Sequence, residues 1–164
     1  MNKDNSQQCQ DDAADLPTNL AIIMRGLPGS GKSHWVEQFI AAYPSEVAQQ
    51  IKRNGYCSTD ALFIKQGQYQ FNLNLLSEYH QRNLTLFIQA LSNRQPVVIC
   101  DNTNMARWEF MAYDAAAKAL GYQVRHVLIG DPADPEHQAL CAQRNQHGVS
   151  LRQIQLMAKK FESF

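Results

Sequence analysis

A three-layer α/β/α domain built on a short parallel sheet is the fold class this sequence predicts, and three observations carry the prediction. Short apolar runs alternate with segments whose apolar residues recur at helical spacing, the pattern of parallel strands joined through crossover helices. A glycine-rich turn over residues 26–33 links the first run to the first helix. Aspartates stand at the far ends of two further runs, on the carboxyl edge where a parallel sheet collects its binding residues.

The elements follow in order. Residues 20–24 (Leu-Ala-Ile-Ile-Met) are uniformly apolar, so the first strand is expected to be buried on both faces. Residues 32–43 place Trp35, Val36, Phe39 and Ile40 on one helical stripe that Pro44 ends. Residues 45–54 show no decisive period, while 55–59 read as the end of a second strand that delivers Asp60 to its carboxyl edge. Over 72–93 a stripe of Leu73, Leu76, His80, Leu84, Phe87 and Leu91 predicts a long amphipathic helix. Residues 96–100 form the next strand and end at Asp101. Helical spacing resumes over 107–120 with Gly121 as its stop, and 122–129 read as a further strand. Asp134 is placed as an N-cap with Pro135 at the first helical position, opening a helix to about residue 145. Ser150 caps a last helix to about residue 161. About four parallel strands with right-handed crossovers result.

The chain of 164 residues is long enough for one domain, expected over 20–164, behind a polar tail at 1–19 that lacks any apolar period and is expected to be disordered. An apolar fraction of 45% and a charged fraction of 18% exclude a fibrous or largely disordered chain. Fifteen basic residues balance fifteen acidic ones; the tail holds Asp4, Asp11, Asp12 and Asp15 against Lys3, leaving the body fourteen basic against eleven acidic. So small an excess does not support stable duplex nucleic-acid binding. No apolar run follows a basic start and no uncharged stretch is long enough to span a bilayer, so a cytoplasmic protein without a membrane partner is expected. Cys9, Cys57, Cys100 and Cys141 show neither C-x-x-C pairing nor metal-ligand spacing and read as buried free thiols.

Residues Gly26-Leu27-Pro28-Gly29-Ser30-Gly31-Lys32-Ser33 match the phosphate-loop pattern of a P-loop NTPase. Its glycines allow successive backbone N–H groups to turn around phosphate oxygens, and the following helix presents its positive end. Lys32 is placed to reach the β- and γ-phosphates and the Ser33 hydroxyl to ligate Mg²⁺, which makes ATP with Mg²⁺ the expected ligand pair. Gly26, Pro28, Gly29, Ser30, Gly31, Lys32 and Ser33 form the candidate nucleotide cradle.

Neither the Asp-x-x-Gly nor the Asn-Lys-x-Asp element of guanine-nucleotide switches occurs downstream, and Asn102 rather than a water-activating Glu follows Asp101. A switch GTPase and a motor ATPase are disfavoured. Phosphoryl transfer to a hydroxyl uses one carboxylate at the metal and another at the acceptor proton. Asp101, ending a Walker B-like strand, is assigned to the Mg²⁺ shell beside Ser33, and Asp60 is the candidate base. Capping a helical turn that begins at Ala61 is the competing role for Asp60.

These residues resemble the polynucleotide-kinase-like phosphate-loop kinases, the family of the bacteriophage 5′-hydroxyl polynucleotide kinase and of many bacterial ATP-binding AAA-like proteins. The likeness spans about residues 20–161 and rests on the phosphate loop, Ser58-Thr59-Asp60, Asp101-Asn102-Thr103-Asn104, and Arg144-Asn145-Gln146-His147-Gly148-Val149. It implies a nucleoside/polynucleotide kinase type of fold and transfer of the ATP γ-phosphate to a hydroxyl acceptor, a polynucleotide 5′-hydroxyl or a small molecule. Asp60 then matches the family's general base, and Arg144 lies in its lid, where an arginine neutralises charge on the transferred group. Two positions depart from the family: Ala61-Leu62-Phe63-Ile64 stands where an arginine grips a substrate phosphate, and His147 stands where a second lid arginine is found. An acceptor other than a 3′-phosphorylated nucleic acid becomes the expectation. The reading from another class is a non-catalytic ATP-binding regulatory module.

Asn102 and Asn104 either bind ligand or brace the loop, and both are carried as cofactor-binding candidates. Arg144 has a solvent-facing role as its alternative. His80 is expected to be a packed core histidine, Trp35 and Trp108 helix-packing residues, and Lys52-Arg53 a solvated pair.

Overall fold

The computed structural model describes residues 18–163, so Cys9 and all but the last two positions of the expected polar tail lie outside the described residues. In chain order the elements are β1 (Leu20–Arg25), α1 (Lys32–Ala41), α2 (Ser45–Gln50), a π-turn (Ile51–Gly55), β2 (Tyr56–Cys57), a 3₁₀ turn (Asp60–Phe63), β3 (Ile64–Lys65), β4 (Gln68–Tyr69), a 3₁₀ turn (Leu73–Leu75), α3 (Leu76–Ser92), β5 (Val97–Asp101), α4 (Arg107–Ala119), β6 (Gln123–Leu128), α5 (Pro135–Arg144) and α6 (Leu151–Ala158).

All six residues of β1 are buried, which fits its place between two neighbours. The parallel sheet runs in the order β2-β5-β1-β6. Its side chains alternate between two cores, as a strand's twofold period requires. Leu20, Ile22 and Met24, with Val97 and Ile99, pack under Val36 and Ile40 of α1. Ala21 and Ile23, with Val98 and Cys100, face Phe87 and Leu91 of α3 and Phe110 and Tyr113 of α4. These two cores and the sheet are the three layers that the alternation of elements predicts. A third cluster, Leu27, Met105, Cys141 and Ile154, joins α5 and α6 to the glycine-rich loop. Burial alone pushes the Cys57 thiol up to about 12 and dominates an upward shift at Cys100, so both behave as small apolar groups.

The local signals act as read. The Asp134 side chain accepts from Glu136 N with Pro135 opening α5, Ser150 and Gln153 cap α6 reciprocally, and Gly121 takes φ 82° after α4.

Several stretches differ from the expectation, and one hairpin was not expected at all. The second strand is only two residues long, because the chain before it coils as a π-turn and Gly55 lies against the Val97 carbonyl, where a Cβ has no space. Residues 64–69 form the β3-β4 hairpin, whose turn residues Gln66 and Gly67 are both left-handed (φ 51° and 78°), as a tight two-residue turn demands. The helix begins at Leu76 rather than residue 72, so its buried face is Tyr79, Asn83, Phe87, Ala90 and Leu91; Leu73 is 72% exposed and His80 turns to the surface. Trp108 is 74% exposed because Phe110, Tyr113 and Ala117 already supply the buried face of α4.

Arg25, at the end of β1, has no exposed surface. Its Nε donates to Asn104 O at 2.7 Å, and its Nη2 donates to Met105 O at 2.8 Å and Glu162 O at 2.7 Å. The guanidinium lies 4.5 Å from the Phe110 ring centre and 4.8 Å from that of Phe161. One side chain thus ties the strand that feeds the loop to the segment after β5 and to the end of the chain. Arg25→Met keeps the bulk and removes the donors; at about 1 to 3 kcal/mol for each carbonyl left unpaired, stability should fall by about 3 kcal/mol or more in urea titration. A loss below about 1 kcal/mol would mean that water satisfies those carbonyls instead.

Candidate functional site

The glycine-rich loop leaves the carboxyl end of β1, the strand between β5 and β6, which is the crevice where open α/β sheets bind ligands. Gly26, Gly29 and Gly31 have φ 151°, 80° and 103°, a region that side chains disfavour. At Gly29 a Cβ would strike the Cys141 carbonyl and lie 2.8 Å from Asn145 N. The end of α5 therefore rests on the loop, and only hydrogen permits that approach. Gly31 leads directly into α1, whose Trp35 N–H donates to Gly31 O at 3.0 Å.

Pro28 is half-buried beside Gly29. Ser30 Oγ is buried and has no hydrogen-bond partner among the described residues. Lys32 is buried, and its Nζ donates to Gly26 O at 2.9 Å and Leu27 O at 3.0 Å, so the ammonium lies across the loop that it belongs to. Desolvation lowers its pKa from the ordinary value, with Asp101 and then Asp60 opposing that shift. A buried cation held only by neutral carbonyls and an orphaned hydroxyl in one glycine cradle fit an anionic, phosphate-bearing ligand.

Beside the loop, Ser33 Oγ donates to Asp101 Oδ2 at 2.9 Å, and the Tyr56 hydroxyl donates to the same oxygen at 2.6 Å. Asp101 reaches this place because β5 pairs with β1 in a register that sets Asp101 opposite Met24, one residue before the loop's approach. Desolvation first and Asp101 second push the Tyr56 phenol well above its ordinary range, so it acts as a donor. Adjacent hydroxyl and carboxylate oxygens are the donor type that Mg²⁺ takes, and Ser33 and Asp101 are the residues here able to hold it.

Asp60 opens the 3₁₀ turn, but Ser58 Oγ, not Asp60, accepts the turn's Ala61 N–H at 3.4 Å. The capping alternative for Asp60 is thereby removed. Its carboxylate is more than half exposed, accepts from the Tyr69 hydroxyl at 3.3 Å through Oδ1, and lies 3.7 Å from His147 Nε2 through Oδ2. The Tyr69 and His147 rings lie 4.2 Å apart between centres. Tyr69 comes from the unforeseen hairpin, held by Phe63, which is fully buried against Tyr69, Phe71 and Tyr79.

Arg144 is exposed as the last residue of α5, next to the turn that covers Gly29. The following segment is tied by Asn145, whose Nδ2 donates to Val149 O at 2.8 Å and whose Oδ1 accepts from Val149 N at 2.9 Å. The two remaining asparagines act as braces. Asn102 Oδ1 accepts Thr59 N at 3.0 Å, joining the end of β5 to the approach of Asp60. Asn104, only 2% exposed and left-handed (φ 49°), spends its Nδ2 on Met24 O at 2.8 Å, so it braces the loop and is not the ligand contact that was expected. His80, expected in the core, instead has Nδ1 3.2 Å from Thr59 Oγ1.

Arg25, Tyr56, Tyr69 and Asn145 are the residues of this region that sequence reasoning gave no role. Only Asn145 carried a signal, through its place in the Arg144 to Val149 motif.

Several known proteins are similar to this chain. The chain is 34% identical over 150 residues to NEDD4-binding protein 2 from Homo sapiens, covering 88% of this chain and 8% of that protein. It is 29% identical over 166 residues to YLP motif-containing protein 1 from Rattus norvegicus, covering 90% of this chain and 12% of that one. The chain therefore spans only about a tenth of the length of these curated relatives. Among solved structures, an APS kinase from Mycobacterium tuberculosis aligns over 88% of this chain and 94% of its own, with a TM-score of 0.46 and 15% identity. The AAA domain profile matches residues 22–164, from the middle of β1 to the chain's end, and the chain belongs to that AAA-domain family.

Proposed function

We propose that residues 20–164 form one kinase domain that binds ATP with Mg²⁺ and transfers the γ-phosphate to an acceptor hydroxyl. The observation that carries this is the arrangement at the end of β1: a buried ammonium on a glycine cradle, a Ser33–Asp101 oxygen pair beside the loop, and an exposed Asp60 carboxylate near enough to act on the Lys32 charge. The resemblance of the phosphate loop, Ser58-Thr59-Asp60 and Asp101-Asn102-Thr103-Asn104 to the polynucleotide-kinase-like kinases supports the same assignment of roles.

In this reading the backbone N–H groups of residues 26–33 and Lys32 Nζ hold the polyphosphate, and Lys32 exchanges its two loop carbonyls for phosphate oxygens. Ser33 and Asp101 hold Mg²⁺, which when bound neutralises charge on the β- and γ-phosphates. Asp60 takes the proton of the acceptor hydroxyl as its oxygen bonds to the γ-phosphorus; the bond from that phosphorus to the β,γ-bridging oxygen breaks, and ADP leaves with the electron pair. Arg144 approaches from the α5 side to offset charge on the group in flight, and the 144–149 segment excludes water. Asn102 supports the site indirectly by fixing Thr59 ahead of Asp60.

The acceptor is a small hydroxyl compound or an unphosphorylated nucleic-acid end, since Ala61-Leu62-Phe63-Ile64 offers no cation beside Asp60. A regulatory ATP-binding module is the second reading, and one observation favours it: both Asp60 oxygens already face protein partners, Tyr69 and His147.

Lys32→Ala should abolish Mg·ATP binding in calorimetry while the circular dichroism spectrum stays native; retained affinity would remove the cradle from the mechanism. With γ-labelled ATP and a panel of nucleoside, sugar, RNA and DNA acceptors, wild type should transfer label to at least one class. Asp60→Asn should reduce that transfer by about 10²- to 10⁴-fold and leave the ATP dissociation constant within a few-fold. Binding without transfer to any acceptor selects the regulatory reading.

A further inference from the structure

Tyr56 is the feature that the phosphate-loop assignment leaves unexplained. It opens the two-residue strand β2 and pairs in register with Ile99, two positions before Asp101 on the neighbouring strand. Its ring packs against the apolar core beneath α1, so the phenol is anchored at its base. The hydroxyl then reaches Asp101 Oδ2 at 2.6 Å, shorter than the 2.9 Å contact from Ser33 to the same oxygen. Asp101 Oδ1 has no hydrogen bond among the described residues.

The two donors on Oδ2 are not equivalent. Ser33 would coordinate a cation through a lone pair of the same oxygen that donates here; its O–H can still donate to Asp101, but its direction is then set by the metal. Tyr56 has no such competing task. It is the donor whose direction the metal does not set, and it holds Oδ2 while Oδ1 is left for the cation or its water. A carboxylate on a strand end with only 5% exposure has few other means of fixing its rotation. Outer donors of this kind orient ligating carboxylates, and their loss costs about 10- to 100-fold in metal affinity.

We propose that Tyr56 is a positioning residue for the metal-holding carboxylate: its hydroxyl fixes Asp101 Oδ2 so that Asp101 Oδ1 and Ser33 Oγ are presented together to the divalent cation of the nucleotide complex. The proposal rests on the Mg·ATP reading above, and it concerns a residue outside every motif of the sequence.

The test separates metal from nucleotide. ATP affinity is measured by calorimetry in EDTA and across a Mg²⁺ series, and Mn²⁺ binding in the presence of ATP is followed by electron paramagnetic resonance, on wild type, Tyr56→Phe, Asp101→Asn and the double variant. Tyr56→Phe should weaken Mn²⁺ and Mg²⁺ about 10- to 100-fold and leave ATP affinity in EDTA unchanged. In the Asp101→Asn background, Tyr56→Phe should add nothing further. Tyr56→His, which retains a ring-borne donor, should recover part of the metal affinity. If Tyr56→Phe does not fold, Tyr56→His and Tyr56→Leu make the comparison, and equal metal affinity in those two overturns the proposal. So does unchanged metal affinity in Tyr56→Phe, or an equal loss of ATP affinity with and without metal, which marks a merely structural role. Wild type that binds ATP without any dependence on Mg²⁺ or Mn²⁺ sinks the metal reading itself, and Tyr56 falls with it; metal dependence in wild type that Tyr56→Phe leaves intact sinks only Tyr56.

Discussion

Backbone must pass backbone at the end of β1 with no side chain between, and the rest of the site depends on that closeness. β1 is buried on both faces and paired on both edges, so its exit point is fixed to within the register of two neighbouring strands. Gly29 then lies under the Cys141 carbonyl and Asn145 N, at a separation that a methyl group would not survive. The loop is pressed between the sheet that delivers it and the helix that covers it. Preorganised amides of this kind bind anions well because little ordering remains to be paid at binding.

Charge is distributed around that loop according to burial. Lys32 is desolvated and rests on two carbonyls, an arrangement weaker than pairing with an anion and therefore readily exchanged. Asp101 is buried and held by two hydroxyls, whereas Asp60 is more than half exposed and held loosely, at 3.3 Å and 3.7 Å. A carboxylate locked at a sheet edge suits a fixed role, and an exposed one suits contact with an incoming group. The difference in solvent access separates the two aspartates into the roles proposed for them.

The covering segment is built as a unit with the loop. Leu27 of the loop shares a cluster with Cys141, Ile154 and Met105, and Arg25 ties the same region to the end of the chain through Glu162 O. Asn145 pins both ends of the 145–149 turn, while His147 meets Tyr69 and Asp60 across the opening. Residues far apart in sequence thus share one small volume around the phosphate loop, and Arg25 and Asn145 brace it from outside the cradle.

The strands of the parallel sheet, every helix but α2, the caps at Asp134 and Ser150 and the phosphate loop were legible in the sequence, because each leaves its signal in residues within one turn or one strand of each other. Apolar period, a proline at a helix start and a glycine where φ is positive act locally and leave local marks. The start of α3, the exposure of Trp108 and His80, the β3-β4 hairpin and the bracing roles of Asn102 and Asn104 were decided by packing and pairing partners dozens of residues away. Periodicity says that a helix has an apolar face, but only the surface it meets determines which residues cover it. Tyr56, Tyr69 and Arg25 acquired their places in the same way: nothing in their neighbours along the chain marks them, and only strand register and hairpin geometry bring their polar atoms to Asp101, to Asp60 and to the Glu162 carbonyl.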